Sequence, residues 1–173
     1  MAGPPHLLLL LRHGIAEEAA ASHRDQDRRL TGEGKRKLRE VVAGMRALEL
    51  PVEAVLSSPL RRAVETAEIV AEAYGLADAV EITPALAPGA GPDAVHAALA
   101  TIGAPSGVVL VGHEPDMGAL ASTLLVGTPS LLQMGFRKAG LAGIVVASLP
   151  PRRAAALEFF LAPGQLRRIG RNA

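Results

Sequence analysis

The chain has 173 residues and 49% of them are hydrophobic, which is enough for one well-buried core but too short for two ordinary domains. We therefore expect a single domain over residues 1–173. Eighteen Lys and Arg against 17 Asp and Glu give a net charge of +1, which argues against a nucleic-acid or membrane-surface protein. The chain contains no cysteine, so disulfides, thiolate catalysis and cysteine metal sites are excluded.

Four short apolar runs rich in Leu, Val and Ile alternate with helical patterns. They predict strands at 7–11, 54–57, 80–83 and 108–111. The alternation is typical of an α/β protein with a mainly parallel sheet. The unbroken leucine run at 7–11 predicts a central strand, because both of its faces must be buried. Residues 141–149 and 154–161 predict an antiparallel edge, and the expected fold is a three-layer α/β sandwich.

Helices are predicted between the strands. Thr31 is a suitable N-cap for a helix in which apolar residues recur at helical spacing. Ser58 as N-cap and Pro59 at the first helical position predict a second helix through Tyr74, which places Arg62 in its first turn. Further helices are expected near 93–101 and 117–125, with loops at 17–29 and 84–92.

Arginine or histidine follows three of the predicted strands. The segments are RHG at 12–14, SSPLRRA at 57–63 and GHEP at 112–115. In an open α/β sheet, ligands bind outside the carboxyl ends of the strands, so these segments should meet at one edge. The candidate site residues are Arg12, His13, Arg62, His113 and Glu114.

Together with RLTGEG at 29–34, these ordered segments resemble the histidine phosphatase superfamily. The short chain looks most like the small phosphohistidine phosphatase (SixA-type) branch, and the resemblance covers nearly its whole length. It implies a phosphoglycerate mutase-like fold, with His13 as nucleophile and His113 as a second histidine that stabilises the phosphoryl group. It also implies Arg12 and Arg62 as phosphate ligands, since the family's S-P-L-x-R-A pattern matches Arg62 rather than Arg61.

The residue types support the same chemistry. Two arginines offer planar forks of donors for phosphoryl oxygens. A neutral imidazole at His13 can attack phosphorus in line and form a phosphohistidine that water then hydrolyses. Such a pocket supplies its own charge stabilisation, so we expect neither a metal nor a cofactor.

The proton donor is less well defined. Larger family members carry a carboxylate acid in an insertion after the third strand, whereas residues 85–93 are short and contain no glutamate. Glu114 lies where the acid-phosphatase branch has an acidic donor, and its alternative role is to complement a helix start near Pro115. Imidazole, whose conjugate acid has a pKa of about 6.5, leaves with little help. Because the chain offers few candidate proton donors, phosphohistidine is favoured over a phosphate ester as substrate.

The expected function is a metal-independent phosphatase of phosphohistidine proteins. The alternatives are a phosphomonoesterase or mutase acting on small phosphorylated molecules, and a phosphoryl-binding module without turnover. A His/Asp metallohydrolase is less favoured, because the chain lacks H-x-H or H-E-x-x-H spacing. The partner is expected to be a phosphorylated protein or small molecule, with no nucleic acid and no membrane.

The remaining features concern localisation and isolated charges. The lack of cysteine and the short apolar run at 7–11, which Arg12 interrupts, predict a cytoplasmic protein. His6, His23 and His96 are predicted at surface or loop positions, although His23 with Arg24 and Asp25 could line the pocket mouth. Arg167, Arg168 and Arg171 are predicted to form a short solvated tail.

Overall fold

A six-stranded mixed sheet forms the centre of the computed structural model, which describes residues 5–19, 24–152 and 155–173. In chain order the strands are β1 (His6–Arg12), β2 (Ala54–Ser57), β3 (Val80–Ile82), β4 (Gly107–Gly112), β5 (Leu141–Val146) and β6 (Ala156–Leu161). Their spatial order is β3-β2-β4-β1-β5-β6. The first four are mutually parallel, whereas β5 pairs antiparallel with β1 and β6 pairs antiparallel with β5. The predicted parallel sheet with an antiparallel edge is therefore confirmed, and β1 lies inside it.

Helices cover both faces of the sheet. They are α1 (Gly32–Ala47), α2 (Arg61–Ala73), α3 (Pro92–Leu99), α4 (Asp116–Val126) and α5 (Pro163–Arg171). Alternate residues of a strand point to opposite faces, so Leu9 and Leu11 pack with α1, α2 and α5, while Leu8 and Leu10 pack with α3 and α4. All four leucines are fully buried. The sheet and the helices on its two faces form the three layers that were predicted, with one apolar core on each side of the sheet.

The start of α2 differs from the prediction. The helix begins at Arg61 with Leu60 as its N-cap residue, rather than at Pro59 with Ser58 as the cap. The hydroxyl of Ser58 instead lies 2.7 Å from the His113 ring, and the Leu60 N–H donates to it at 3.3 Å. The prediction that Arg62 lies in the first turn of this helix is nevertheless confirmed.

The C-terminal basic segment is a helix rather than a tail. Leu166 of α5 is fully buried against α1, and its carbonyl oxygen would lie 2.1 Å from a Cβ added at Gly44. A glycine at position 44 therefore allows the two helices to approach closely. Among the residues that the structure describes, no helix is long and apolar enough to cross a membrane.

Candidate active site

The register of the parallel strands brings the predicted site segments together. Arg12 of β1 is paired with Gly112 of β4, and Ser57 of β2 is paired with Val111 of β4. The residues that follow each strand therefore emerge side by side at the carboxyl edge. The rings of His13 and His113 lie there with their centroids 5.1 Å apart. The sequence prediction that these two histidines meet is confirmed.

The hydrogen bonds of His13 define which ring nitrogen is free to react. Nδ1 lies 2.8 Å from the carbonyl oxygen of Gly14, which can only accept, so Nδ1 carries the proton. Nε2 accepts from Nε of Arg62 at 3.3 Å and therefore carries the lone pair. The side chain is buried, with 5% of the residue exposed. The structure thus presents a fixed imidazole tautomer with its lone pair beside a guanidinium.

Burial sets the charge state of His13. Removal from water lowers its pKa from 6.5 to about 3, and the positive charges of Arg62 and Arg12 act in the same direction. The hydrogen bond to Gly14 opposes this shift but does not cancel it. The imidazole is consequently neutral near pH 7, which is the state that a nucleophile requires.

Arg62 is held at the centre of the cluster by all three of its guanidinium nitrogens. Besides the contact of Nε with His13, NH1 donates to the backbone oxygen of Asp25 at 2.9 Å and NH2 donates to Oδ2 of Asp25 at 3.0 Å. Arg62 is buried, whereas the neighbouring Arg61 side chain is half exposed and pairs with Glu65 at 3.2 Å. The structure therefore supports the assignment of Arg62 rather than Arg61 to the site.

Thr66 fixes the position of Arg62 relative to the loop after β1. Its hydroxyl donates to the backbone oxygen of Arg62 at 2.7 Å and accepts from the N–H of Gly14 at 3.1 Å. Thr66 is fully buried. Sequence reasoning missed this residue, although its place one helical turn after Arg62 is a signal that could have found it.

His113 is buried on the other side of the cluster. Its Nε2 lies 2.7 Å from the Ser58 hydroxyl, and its Nδ1 has no hydrogen-bond partner among the residues that the structure describes. Burial lowers the pKa of His113 to about 4, with a further contribution from Arg62. This ring is also neutral near pH 7. Ser58 was predicted as a helix cap, so its contact with His113 was not foreseen.

Arg12 connects the site to the segment before β5. NH1 donates to the backbone oxygen of Phe136 at 2.7 Å, while Nε is buried and lacks a partner among the described residues. A buried donor without a partner is costly unless a ligand or water supplies an acceptor. Nε of Arg12 can therefore donate to an oxyanion, and Nδ1 of His113 can do so in the tautomer in which Nε2 accepts from the Ser58 hydroxyl.

The carboxylate of Glu114 is directed at backbone N–H groups. Oε1 accepts from the N–H of Phe136, and Oε2 accepts from the N–H of Gly118 in the first turn of α4 at 3.2 Å. The side chain therefore joins the start of α4 to the segment that holds Arg12. This arrangement favours the helix-start role over the role of proton donor, because both oxygens already serve as acceptors.

Asp25 is a residue of the site that the sequence only hinted at. It was predicted near the pocket mouth with His23 and Arg24, and it contacts Arg62 directly. His23 lies outside the described residues, and Arg24 pairs instead with Asp27 at 2.9 Å. The signal for Asp25 was its place in the polar loop after β1, but only the folded chain shows that the loop returns to α2.

The other histidines lie outside the cluster. His6 was predicted at a surface or loop position, but it is buried at the start of β1, with Nδ1 2.7 Å from the backbone oxygen of Pro105. The prediction for His6 was therefore wrong, because the strand begins one residue earlier than the apolar run. His96 is exposed on α3. Among the described residues, no group of three or more His, Cys, Asp or Glu side chains is arranged to hold a metal ion.

The two buried histidines should link the stability of the fold to pH. Their pKa values are about 3 and about 4 in the folded protein, against about 6.5 when unfolded. From pH 7 down to pH 5 the unfolded chain takes up protons that the folded protein does not, so the free energy of unfolding falls with falling pH. We expect a loss of about 4 kcal/mol over this range in urea unfolding experiments.

His13→Gln is the matched test of this linkage. It removes one of the two titrating groups and should show about half of the loss between pH 7 and pH 5. A urea midpoint that is constant over this range in the unmodified protein would contradict the burial of both rings as neutral groups.

Comparisons with known proteins agree with this fold. The sequence model of the histidine phosphatase superfamily (branch 1) matches residues 8–87. An uncharacterized protein of Picosynechococcus sp. is 37% identical over 139 residues, which is 79% of this chain and 83% of that protein. The phosphohistidine phosphatase SixA of Escherichia coli is 34% identical over 128 residues, or 72% of this chain and 78% of that one.

A solved structure gives the same result. The protein histidine phosphatase SixA complexed with tungstate superposes with a TM-score of 0.78 at 27% identity, covering 92% of this chain and 99% of that chain. The fold and the site thus define an α/β phosphatase of the phosphoglycerate mutase-like architecture. The chain belongs to the histidine phosphatase superfamily, in its SixA-type branch.

Proposed function

We propose that the protein is a metal-independent phosphatase that removes phosphate from phosphohistidine in proteins through a covalent intermediate on His13. The observation that carries the proposal is the buried, neutral imidazole whose Nε2 lone pair lies 3.3 Å from the guanidinium of Arg62. An oxyanion bound to that guanidinium is held beside the nucleophilic atom. The relationship to SixA supports the same class of substrate.

The reaction has two steps. In the first, Nε2 of His13 attacks phosphorus and the bond from phosphorus to the substrate nitrogen breaks. The substrate ring carries a proton on its other nitrogen, so it leaves as neutral imidazole with the electron pair of that bond. In the second, water attacks the phosphorus, the bond to Nε2 breaks, and inorganic phosphate leaves. The proton lost by water passes to the phosphate or to solvent, and His13 returns to its neutral state.

Charge stabilisation comes from the residues around His13. Arg62 and Arg12 supply guanidinium donors. Nε of Arg12, which has no partner within the described part of the chain, can donate to a phosphoryl oxygen, as can Nδ1 of His113 in the tautomer in which Nε2 accepts from Ser58. Donors that are already in place need no reorganisation as charge develops, which is the main source of their effect. The tungstate bound to the related SixA is likewise an oxyanion, and this supports an oxyanion role for the pocket here.

The environment of Glu114 supports phosphohistidine rather than a phosphate ester as substrate. An alkoxide leaving group needs an acid, and both oxygens of Glu114 are engaged by the N–H groups of Phe136 and Gly118. A neutral imidazole leaves without such help. A groove of about 710 Å³ runs from Arg12 and Glu114 along residues 129–136, which gives room for the body of a larger substrate.

The function is tested by a turnover panel. Purified protein is incubated with a phosphohistidine protein, with alkyl and aryl phosphate esters and with phosphorylated sugars, and the release of phosphate is measured. We expect the highest kcat/KM for the phosphohistidine protein. A higher kcat/KM for an alkyl phosphate would instead indicate a phosphomonoesterase, and phosphate binding without any turnover would indicate a binding module.

Glu114→Gln should separate the two roles considered for this side chain. The amide oxygen can still accept from the N–H of Phe136, but the transferable proton is lost. Because the structure favours a helix-start role, we expect small and equal losses of kcat/KM for an alkyl phosphate and for phosphohistidine. A loss of roughly two to four orders of magnitude confined to the alkyl phosphate would instead identify Glu114 as the proton donor.

Turnover should be insensitive to chelators and sensitive to vanadate. Vanadate can adopt the five-coordinate geometry of an in-line transition state and should be bound by the same arginines. Dialysis against EDTA should leave kcat unchanged, while vanadate should inhibit competitively with the substrate. Activity that returns only when a divalent metal is added would refute the metal-independent mechanism.

A further inference from the structure

The carboxylate of Asp25 occupies the guanidinium fork of the buried Arg62. Oδ2 of Asp25 accepts from NH2 at 3.0 Å, and its backbone oxygen accepts from NH1 at 2.9 Å. These are the two terminal nitrogens of the fork, and the remaining Nε is bound to His13. These contacts use three of the five guanidinium N–H groups. A phosphoryl group that binds end-on, with NH1 and NH2 each donating to one of its oxygens, therefore competes with Asp25 for that position.

We propose that Asp25 is a specificity-determining residue: its carboxylate competes with ligands for Arg62 and restricts the pocket to oxyanions whose charge is sufficient to displace it. This inference rests on the proposed function only in that the pocket binds a phosphoryl group. It concerns binding and not the bond-breaking steps. It also requires that Asp25 can leave Arg62 at little cost.

The exposure of the two side chains supports that requirement. The Arg62 side chain is 7% exposed, whereas the Asp25 side chain is 58% exposed. Displacement therefore returns the carboxylate to water, while the buried guanidinium exchanges one anion for another. Because the buried guanidinium is not left unpaired, the loss of the contact with Asp25 can be offset by a phosphoryl group with two charges.

Asp25 also keeps a second partner when it leaves Arg62. Its Oδ1 accepts from NH1 of Arg28 at 2.7 Å, and Nε of Arg28 donates to the backbone oxygen of Glu17 at 2.7 Å. The hydrogen bond from Arg28 is the largest influence that lowers the pKa of Asp25, so the carboxylate is ionised near pH 7. Arg28 can therefore hold the displaced carboxylate close to the pocket.

The segment that carries Asp25 is suited to a small movement. Asp25–Asp27 is a single turn of 3-10 helix, and none of its three residues is buried. Its own contacts are ion pairs at the surface, such as Asp27 with Arg24 at 2.9 Å. Elements with few buried apolar contacts open at low free-energy cost, so ligand binding can shift this turn without disturbing the core.

The test is the binding of inorganic phosphate, measured by isothermal titration calorimetry at pH 7.5 in the absence of substrate. Asp25→Asn keeps the shape of the side chain but removes the competing charge. The Kd for phosphate should fall about three- to tenfold, as expected when one partly exposed ion pair no longer competes. Asp27→Asn is the matched control, because Asp27 lies in the same turn and pairs with Arg24 rather than Arg62. Its Kd should equal that of the unmodified protein.

Turnover by the same variants distinguishes competition from catalysis. We expect KM to fall with the Kd in Asp25→Asn while kcat stays within about threefold of the unmodified value. An unchanged or raised Kd, or no detectable phosphate binding, would overturn the inference. So would a large fall in kcat with an unchanged Kd, since Asp25 would then act on a reaction step. If the Kd shifts as expected but no phosphorylated compound is turned over, only the proposed function fails.

Discussion

His13→Ala should abolish turnover, with kcat reduced by several orders of magnitude, as observed when a covalent nucleophile is removed. The variant lacks the Nε2 lone pair that lies beside Arg62. The fold should persist, because the ring lies after the end of β1 and outside the two apolar cores. Near-normal turnover by this variant would refute the covalent mechanism.

The covalent step can be observed directly. Brief exposure to substrate carrying labelled phosphate should place the label on His13, as an adduct that is labile in acid and stable in alkali. The matched control is His96→Ala, which removes an exposed imidazole on α3 and should leave both labelling and turnover unchanged. Label on any residue other than His13 would assign the nucleophile to that residue.

Arg62→Ala should lower kcat/KM roughly 150-fold, which corresponds to a loss of about 3 kcal/mol of transition-state stabilisation. This magnitude is expected by analogy with the removal of other preorganised donors. The same loss is expected for Arg12→Ala. The physical reason is that each guanidinium lies in place before substrate arrives, Arg62 beside Nε2 of His13 and Arg12 against the backbone oxygen of Phe136.

Arg61→Ala is the matched control for Arg62→Ala, because it removes the same side chain from the adjacent position in the same helical turn. Arg61 is half exposed and pairs with Glu65, so its loss should change kcat/KM little. Equal losses at both positions would show that the contact of Arg62 with His13 does not set the rate of turnover.

The order of elements could be predicted from the sequence because it depends on local chemistry. The leucine run before Arg12 predicts a strand that is buried on both faces, and Leu8 to Leu11 are divided between the two cores. Thr31 caps α1 as predicted, since its hydroxyl accepts from the N–H of Gly34 at 2.9 Å. Because ligand sites gather at the carboxyl edge of such sheets, the meeting of His13, Arg62 and His113 was predictable from their positions after the strands.

The partners of those site residues were not predictable, because each is chosen by contacts between distant segments. Ser58 stands where the sequence predicts a helix N-cap, yet its hydroxyl contacts His113. The reason is that β2 and β4 pair in a register that places Ser58 beside His113. Glu114 directly follows His113, which made it a candidate proton donor, but its carboxylate oxygens accept from the backbone N–H groups of Gly118 and Phe136. A carboxylate accepts hydrogen bonds from nearby donors that have no other partner, and only the folded chain determines which donors lie nearby.

By itself, the sequence determined the α/β class, the superfamily and the residue types that gather at the carboxyl edge of the sheet, because periodicity, capping and the strand-end motifs are local properties. Only the tertiary structure decided that Arg62 is neutralised by Asp25, that Nε2 of His13 carries the lone pair and that the pKa values of both site histidines are lowered. Each of these three findings depends on burial and on hydrogen bonds between segments far apart in the chain. Burial and such hydrogen bonds are not encoded at any single position.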